Sequence, residues 1–149
     1  MLEQQNAQRM IYMADDDEDD RMLFLDAVHD LNLPASVTAV EDGMELLDKL
    51  SQAVKHLPEM IFLDINMPRK NGFDCLEEIR SAKSDLKKVK IIMLSTSSNP
   101  ENIEQSYALG ADFYAVKPST FEGLKNLLQK IFDMDWKLVK KSDKKFLLA

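Results

Sequence analysis

Six consecutive acidic residues, Asp15-Asp16-Asp17-Glu18-Asp19-Asp20, follow the short apolar run Met10-Ile-Tyr-Met-Ala14. Carboxylates massed at the end of a strand repel one another. Two unit charges about 4 Å apart cost roughly 4 kcal/mol at an effective dielectric of 20. A hard, oxygen-seeking cation between them removes that cost. Three further apolar runs end in groups of complementary chemistry. Met60-Ile-Phe-Leu63 ends in Asp64, followed by Ile65-Asn66-Met67-Pro68. Val89–Leu94 ends in Ser95-Thr96, and Phe113–Val116 ends in Lys117-Pro118. If the four runs are adjacent parallel strands, their carboxyl ends share one rim, where ligands bind in open α/β sheets. Carboxylates, hydroxyls and a lysine on one rim make a metal-assisted phosphate site.

Magnesium keeps several waters and takes one or two protein carboxylates together with phosphate oxygens. On this reading Asp16 and Asp64 ligate Mg2+ (or Mn2+) directly, the Asn66 backbone carbonyl is a third ligand, and Asp15 acts through water. Asp64 is also the candidate nucleophile, because a carboxylate attacking a phosphoryl donor gives an aspartyl phosphate. Phosphoryl transfer needs mainly positioning and charge neutralisation. The metal, Lys117 and the Ser95 hydroxyl, with Thr96 beside it, would each hold a phosphoryl oxygen. Singly these residues mean little: a strand-ending Asp more often caps a helix, and a strand-ending Lys more often faces solvent. Their joint placement at four strand ends carries the argument. A cis bond at Lys117–Pro118, open to an X–Pro peptide as to few others, would aim Lys117 inward.

Strand-like runs at 10–14, 36–40, 59–63, 89–94 and 113–116 alternate with amphipathic helical patterns at 19–32, 43–56, 72–83, 100–109 and 120–132. Phe24, Ala27, Val28 and Leu31 share one helical face, and Leu46, Leu47, Leu50 and Val54 share another. Asn99-Pro100-Glu101 reads as a helix start and Gly110 as a helix stop. Nearly all-apolar strands separated by helices imply a parallel sheet covered on both faces. The expected fold is a doubly wound, flavodoxin-like (βα)5 α/β sandwich, five strands in the order 2-1-3-4-5, with Asp15, Asp16 and Asp64 at the switch point.

The 149 residues predict one domain with a short appendage. A net charge of −7 argues against a nucleic-acid or anionic-membrane binder. An acidic block is commonly just a solvated stretch, but this one abuts a strand and leads into an amphipathic helix. Cys75 is the one cysteine, so no intrachain disulfide is possible. Its helical context with Phe73, Leu76 and Ile79 makes it a packed residue, not a nucleophile. No apolar run approaches the ~18 residues of a membrane span, and the first residues lack a secretory core; a cytoplasmic protein is expected. After residue 132 the composition turns lysine-rich. Trp136, Leu138 and Phe146 there either pack the tail back on the body or serve a partner.

Ala14-Asp15-Asp16, Leu63-Asp64-Ile-Asn-Met-Pro68 with Asn71-Gly72, Leu94-Ser95-Thr96 and Tyr114-Ala-Val-Lys117-Pro118 together resemble the response-regulator receiver domains of bacterial two-component signalling. The resemblance covers residues 10–132, leaving 1–9 as an N-terminal lead and 133–149 as a basic C-terminal tail. It implies phosphorylation of Asp64 by a histidine-kinase phosphohistidine, a magnesium requirement and slow hydrolysis of the acyl phosphate. Ser95 then matches the switch hydroxyl, Tyr114 the aromatic that swings between outward and inward positions, and Pro68, Gly72 and Pro118 structural positions. The acidic extension 17–20, Ser95-Thr-Ser-Ser98, Ser106–Gly110 and the tail look like small stand-alone receivers, some of which serve phytochrome-type or hybrid histidine kinases. The readout would be a downstream protein partner or homodimerisation through the fourth-helix face. Ser119 departs from the aromatic that commonly follows the proline, which bears on the partner surface but not on the phosphorylation chemistry.

Three other readings compete. A phosphatase or dehalogenase with Asp64 as nucleophile usually carries a second carboxylate two positions on, where this chain has Asn66. A flavodoxin-like nucleotide binder would have a Ser/Thr/Gly-rich loop after the first strand, and here that loop is acidic. A receiver-like docking module that is never phosphorylated would be expected to lack part of the constellation, and none is missing.

Overall fold

In the computed structural model, residues 9–53, 55–134 and 146–148 are described. The elements run β1 (Arg9–Ala14), α1 (Glu18–Asp30), β2 (Ala35–Val40), α2 (Gly43–Gln52), β3 (Met60–Leu63), α3 (Gly72–Arg80), a 3-10 turn (Asp85–Lys88), β4 (Lys90–Ser95), α4 (Pro100–Leu109), β5 (Phe113–Val116), α5 (Phe121–Phe132) and β6 (Leu147–Leu148). All strand pairs are parallel, in the order β2-β1-β3-β4-β5-β6.

The two-residue period of a strand splits its side chains between two cores. Tyr12, Ala14, Ile61, Leu63, Ile91 and Met93 face Leu46 and Leu50 of α2 and Leu76 and Ile79 of α3. Ile11, Met13, Met60, Phe62, Ile92 and Leu94 face Phe24, Ala27 and Val28 of α1 and Leu128 and Ile131 of α5. β3 is four residues long and wholly buried, as a central parallel strand with both faces covered must be.

Each helix starts on a side chain that accepts a backbone N–H: Asp17 from Asp20, Asp42 from Glu45, Asn71 from Asp74, Asn99 from Glu101 and Thr120 from Gly123. Such a cap contributes about 1 kcal/mol and fixes where the loop hands over to the helix. Gly110 ends α4 at φ 103°, in the left-handed conformation that glycine adopts freely.

Four sequence expectations need correction. Among the described residues the sheet has six strands, not five, because residues 146–148 pair parallel with β5, Tyr114 against Leu147 and Ala115 against Leu148. A two-residue strand carries no periodicity to read. α2 stops at Gln52 instead of 56, where the Ser51 hydroxyl bonds the Asp48 carbonyl and competes with the helical ladder. α3 stops at Arg80 instead of 83, where the Ser81 N–H bonds the Glu77 and Ile79 carbonyls and the Arg80 guanidinium docks on the carbonyls of Gly110 and Val89 and the Asp112 carboxylate. The Lys117–Pro118 bond is trans, no cis peptide occurring among the described residues. Trp136 and Leu138 lie outside the described residues, as do residues 1–8 of the lead. Among the described residues, no helix is long and apolar enough to cross a membrane.

Candidate functional site

The ends of β1 and β3 are tied together by the Asp64 N–H, which donates to the Ala14 carbonyl at 3.0 Å. That bond sets Asp15, Asp16 and Asp64 side by side. Each offers a carboxylate oxygen, and the three oxygens lie within 4.8 Å of one another. Asp15 and Asp64 are buried, whereas Asp16 is exposed. On the other side of the site, the Lys117 N–H donates to the Ser95 carbonyl at 2.7 Å, binding the ends of β4 and β5.

Lys117 reaches across the rim without a cis proline. Its Nζ lies 2.6 Å from Asp15 Oδ2, 2.7 Å from Asp20 Oδ2 and 3.4 Å from Asp64 Oδ2. Burial pulls the ammonium's pKa down, but its bonds to Asp15 and Asp20 and the charge of Asp64 outweigh burial and hold it above its ordinary value. Asp64 behaves oppositely. Burial pushes its carboxyl up to about 6; the Asp15 charge adds to the rise, and Lys117 and the Ile65 N–H only partly offset it.

The oxygens fit a divalent cation. Asp15 Oδ1 accepts the Asp17 N–H, and its buried Oδ2 is ion-paired with the Lys117 ammonium at 2.6 Å. Three carboxylates whose oxygens lie within 4.8 Å of one another carry more negative charge than one ammonium balances, and such an all-oxygen set is what a hard cation seeks. Asn66 lies exposed in the loop two residues beyond Asp64. Gly72 makes that loop possible: its N–H donates to the Ile65 carbonyl at 2.8 Å. A Cβ there would fall inside contact distance of the Asp64 carbonyl and 2.9 Å from Ile65 Cα. Pro68 is exposed in the same loop and Pro118 is half-buried.

Ser95 is fully buried, and its Oγ accepts the Ser97 N–H at 3.2 Å. Thr96 points to solvent. Tyr114 is also fully buried, and its hydroxyl donates to the Ser97 carbonyl at 2.7 Å. The tyrosine that the resemblance casts as swinging thus stands inward here, on a strand whose outer edge is paired by β6. Cys75 packs as expected: it is fully buried, and burial pushes its thiol up to about 12, far from a reactive thiolate.

Two features of the site escaped the sequence reading. Asp20, one of six adjacent acids, reaches Lys117 from the first turn of α1; its phase on that helix was the available signal. Arg69 holds both oxygens of buried Asp42 through Nη2, at 3.0 and 2.9 Å. It does so from a left-handed backbone at φ 67°, uncommon for a residue with a Cβ. The pair ties the loop after β3 to the start of α2, and no local pattern announces a contact 27 residues apart.

Residues 11–129 match the family described as response regulator receiver domain. Response regulator Rcp1 of Synechocystis sp. is 27% identical over 135 residues, covering 88% of this chain and 91% of its own length. The phosphorylated cyanobacterial phytochrome response regulator RcpA superposes with a TM-score of 0.80 at 31% identity, over 90% of this chain and 98% of its own. The Mn(2+)-bound form of Rcp1 superposes at 0.76 with 25% identity, over 90% of this chain and 99% of its own. With a flavodoxin-like parallel sheet, carboxylates and lysine on its carboxyl rim, and the family pattern over most of its length, the chain belongs to the response regulator receiver domains.

Proposed function

We propose that this chain works as a stand-alone response regulator in which Asp64 accepts a phosphoryl group from the phosphohistidine of a sensor histidine kinase. A carboxylate oxygen of Asp64 attacks phosphorus; the new P–O bond forms as the P–N bond breaks, and its electron pair stays on the imidazole nitrogen. The observation that carries this reading is the meeting of Asp15, Asp16 and Asp64 under the Lys117 ammonium. Asp15, Asp16, Asp64 and the Asn66 backbone carbonyl would hold Mg2+ or Mn2+. When bound, the cation neutralises the carboxylates and the phosphoryl oxygens. Burial keeps water off Asp64, and Lys117 and the Ser95 hydroxyl, flanked by Thr96, hold the remaining phosphoryl oxygens.

The signal would leave through Ser97. Its N–H bonds Ser95 and its carbonyl bonds Tyr114. Drawing Ser95 toward a phosphoryl group pulls on the loop that Tyr114 holds, and so on α4 and β5, the surface offered to a downstream protein partner or a second copy. Such a shift is as large as the phosphoryl group's differential affinity for the two states. The likeness to RcpA supports a phytochrome-type kinase as the donor, and a hybrid kinase would present the same phosphohistidine. A cytoplasmic location follows from that donor.

Incubation with acetyl phosphate and Mg2+, followed by intact mass, tests the acceptor. Wild type gains one phosphoryl group and Asp64→Asn gains none; equal gain in both removes Asp64 from the role.

A further inference from the structure

Asp20 sits in the first turn of α1, partly exposed, with its Oδ2 2.7 Å from Lys117 Nζ. Asp64 is farther from the same ammonium, at 3.4 Å. The two nearest counterions of Lys117 are therefore Asp15 and Asp20, not the proposed acceptor. Asp15 belongs to the cation-binding oxygens, so its charge is shared once a cation arrives. Asp20 stands outside that group of three and keeps its charge for the lysine. With Asp20, the ammonium borders a cleft lined by Met13, Leu94, Pro118 and Leu124.

We propose that Asp20 is a positioning residue that holds the Lys117 ammonium off Asp64, favouring the divalent cation and disfavouring the phosphoryl group. This rests on Asp64 being the phosphoacceptor. The Asp20 carboxylate keeps the ammonium at 2.7 Å from itself and 3.4 Å from Asp64, which leaves the Asp64 oxygen freer for a cation, and it adds attraction for the cation itself. The same charge repels an anionic phosphoryl group and competes for the lysine that group needs. Removing it therefore moves the two affinities in opposite directions, which a loss of packing or of helix stability would not do.

The experiment measures Mg2+ affinity by calorimetry, and beryllofluoride affinity at saturating Mg2+, in wild type, Asp20→Asn, Asp20→Glu and Asp19→Asn. A partly exposed ion pair supports changes of about two- to fivefold. Asp20→Asn weakens Mg2+ and tightens beryllofluoride by such factors, and Asp20→Glu restores wild-type order. Asp19→Asn, an exposed acid in the same turn, changes neither. Asp20→Asn shifting both affinities the same way, or no more than Asp19→Asn does, overturns the assignment of Asp20 alone. Wild type that binds neither Mg2+ nor beryllofluoride overturns the phosphoacceptor reading, and this proposal with it.

Discussion

The electrostatics of the site turn on one residue, Asp64, whose carboxyl sits at about 6 against an ordinary 3.8 because burial penalises its charge. A folded-state pKa above the unfolded one means the native protein binds the proton more tightly. The associated stability is present below about pH 4 and is lost as the pH rises through about 6. In metal-free protein at pH 7.5 the buried charge then costs up to about 3 kcal/mol. Asp64→Asn in EDTA should recover much of that in urea denaturation at pH 7.5, with the difference shrinking toward pH 4. A gap between the proteins that does not change with pH would mean that Asp64 is not strained by its charge. Saturating Mg2+ should stabilise wild type more than the variant. The acidic run, Asp64, Ser95 and Lys117 were legible from the chain because each follows an apolar strand. The preference of Lys117 for Asp20 over Asp64 was not, since it depends on ångström-scale distances between β5 and α1.

Among the elements, the loop from Asp64 to Asn71 is pinned where it leaves β3 and where it enters α3, by the Asp64 N–H on the Ala14 carbonyl and the Gly72 N–H on the Ile65 carbonyl. Gly72 at its end lets α3 start against the Asp64 backbone, where a Cβ has no room. Gly72→Ala is expected to cost about 1–3 kcal/mol, the range for overpacking a tight site. It should also weaken Mg2+ binding, because the displaced backbone carries Asp64. Chemical denaturation and a Mg2+ titration check both, and an unchanged Mg2+ affinity would separate α3 placement from the site. Strand and helix centres were readable because their apolar periods are long. Helix ends were less so: α2 and α3 stop four and three residues early, at Gln52 and Arg80, the first beside the Ser51 hydroxyl bonded to the Asp48 carbonyl and the second where the Arg80 guanidinium docks on the Gly110 and Val89 carbonyls. The caps Asp17, Asp42, Asn71 and Thr120 carry capping residue types, but the same types fill ordinary loops.

At the scale of the whole molecule, the returning segment 146–148 closes the β5 edge. Phe146 is buried and stacks edge-on against Tyr107 of α4, ring centroids 5.1 Å apart, while Leu148 is buried on the α5 side. Phe146→Ala should lower global stability by about 1–3 kcal/mol, below the usual core cost because so short a strand can detach locally first. Unchanged thermal unfolding would show that the segment does not stabilise the body. The linear chain by itself determined the alternating βα order, the two-faced parallel sheet and the four strand ends bearing acid, acid, hydroxyl and lysine, because periodicity and strand-end chemistry are local. Tertiary structure alone decided the sixth strand, the Arg69–Asp42 tie, the inward Tyr114 and the choice of Lys117 between Asp15, Asp20 and Asp64. Those outcomes depend on which residues distant in sequence meet, and at what distance, and burial then sets how much each charge matters.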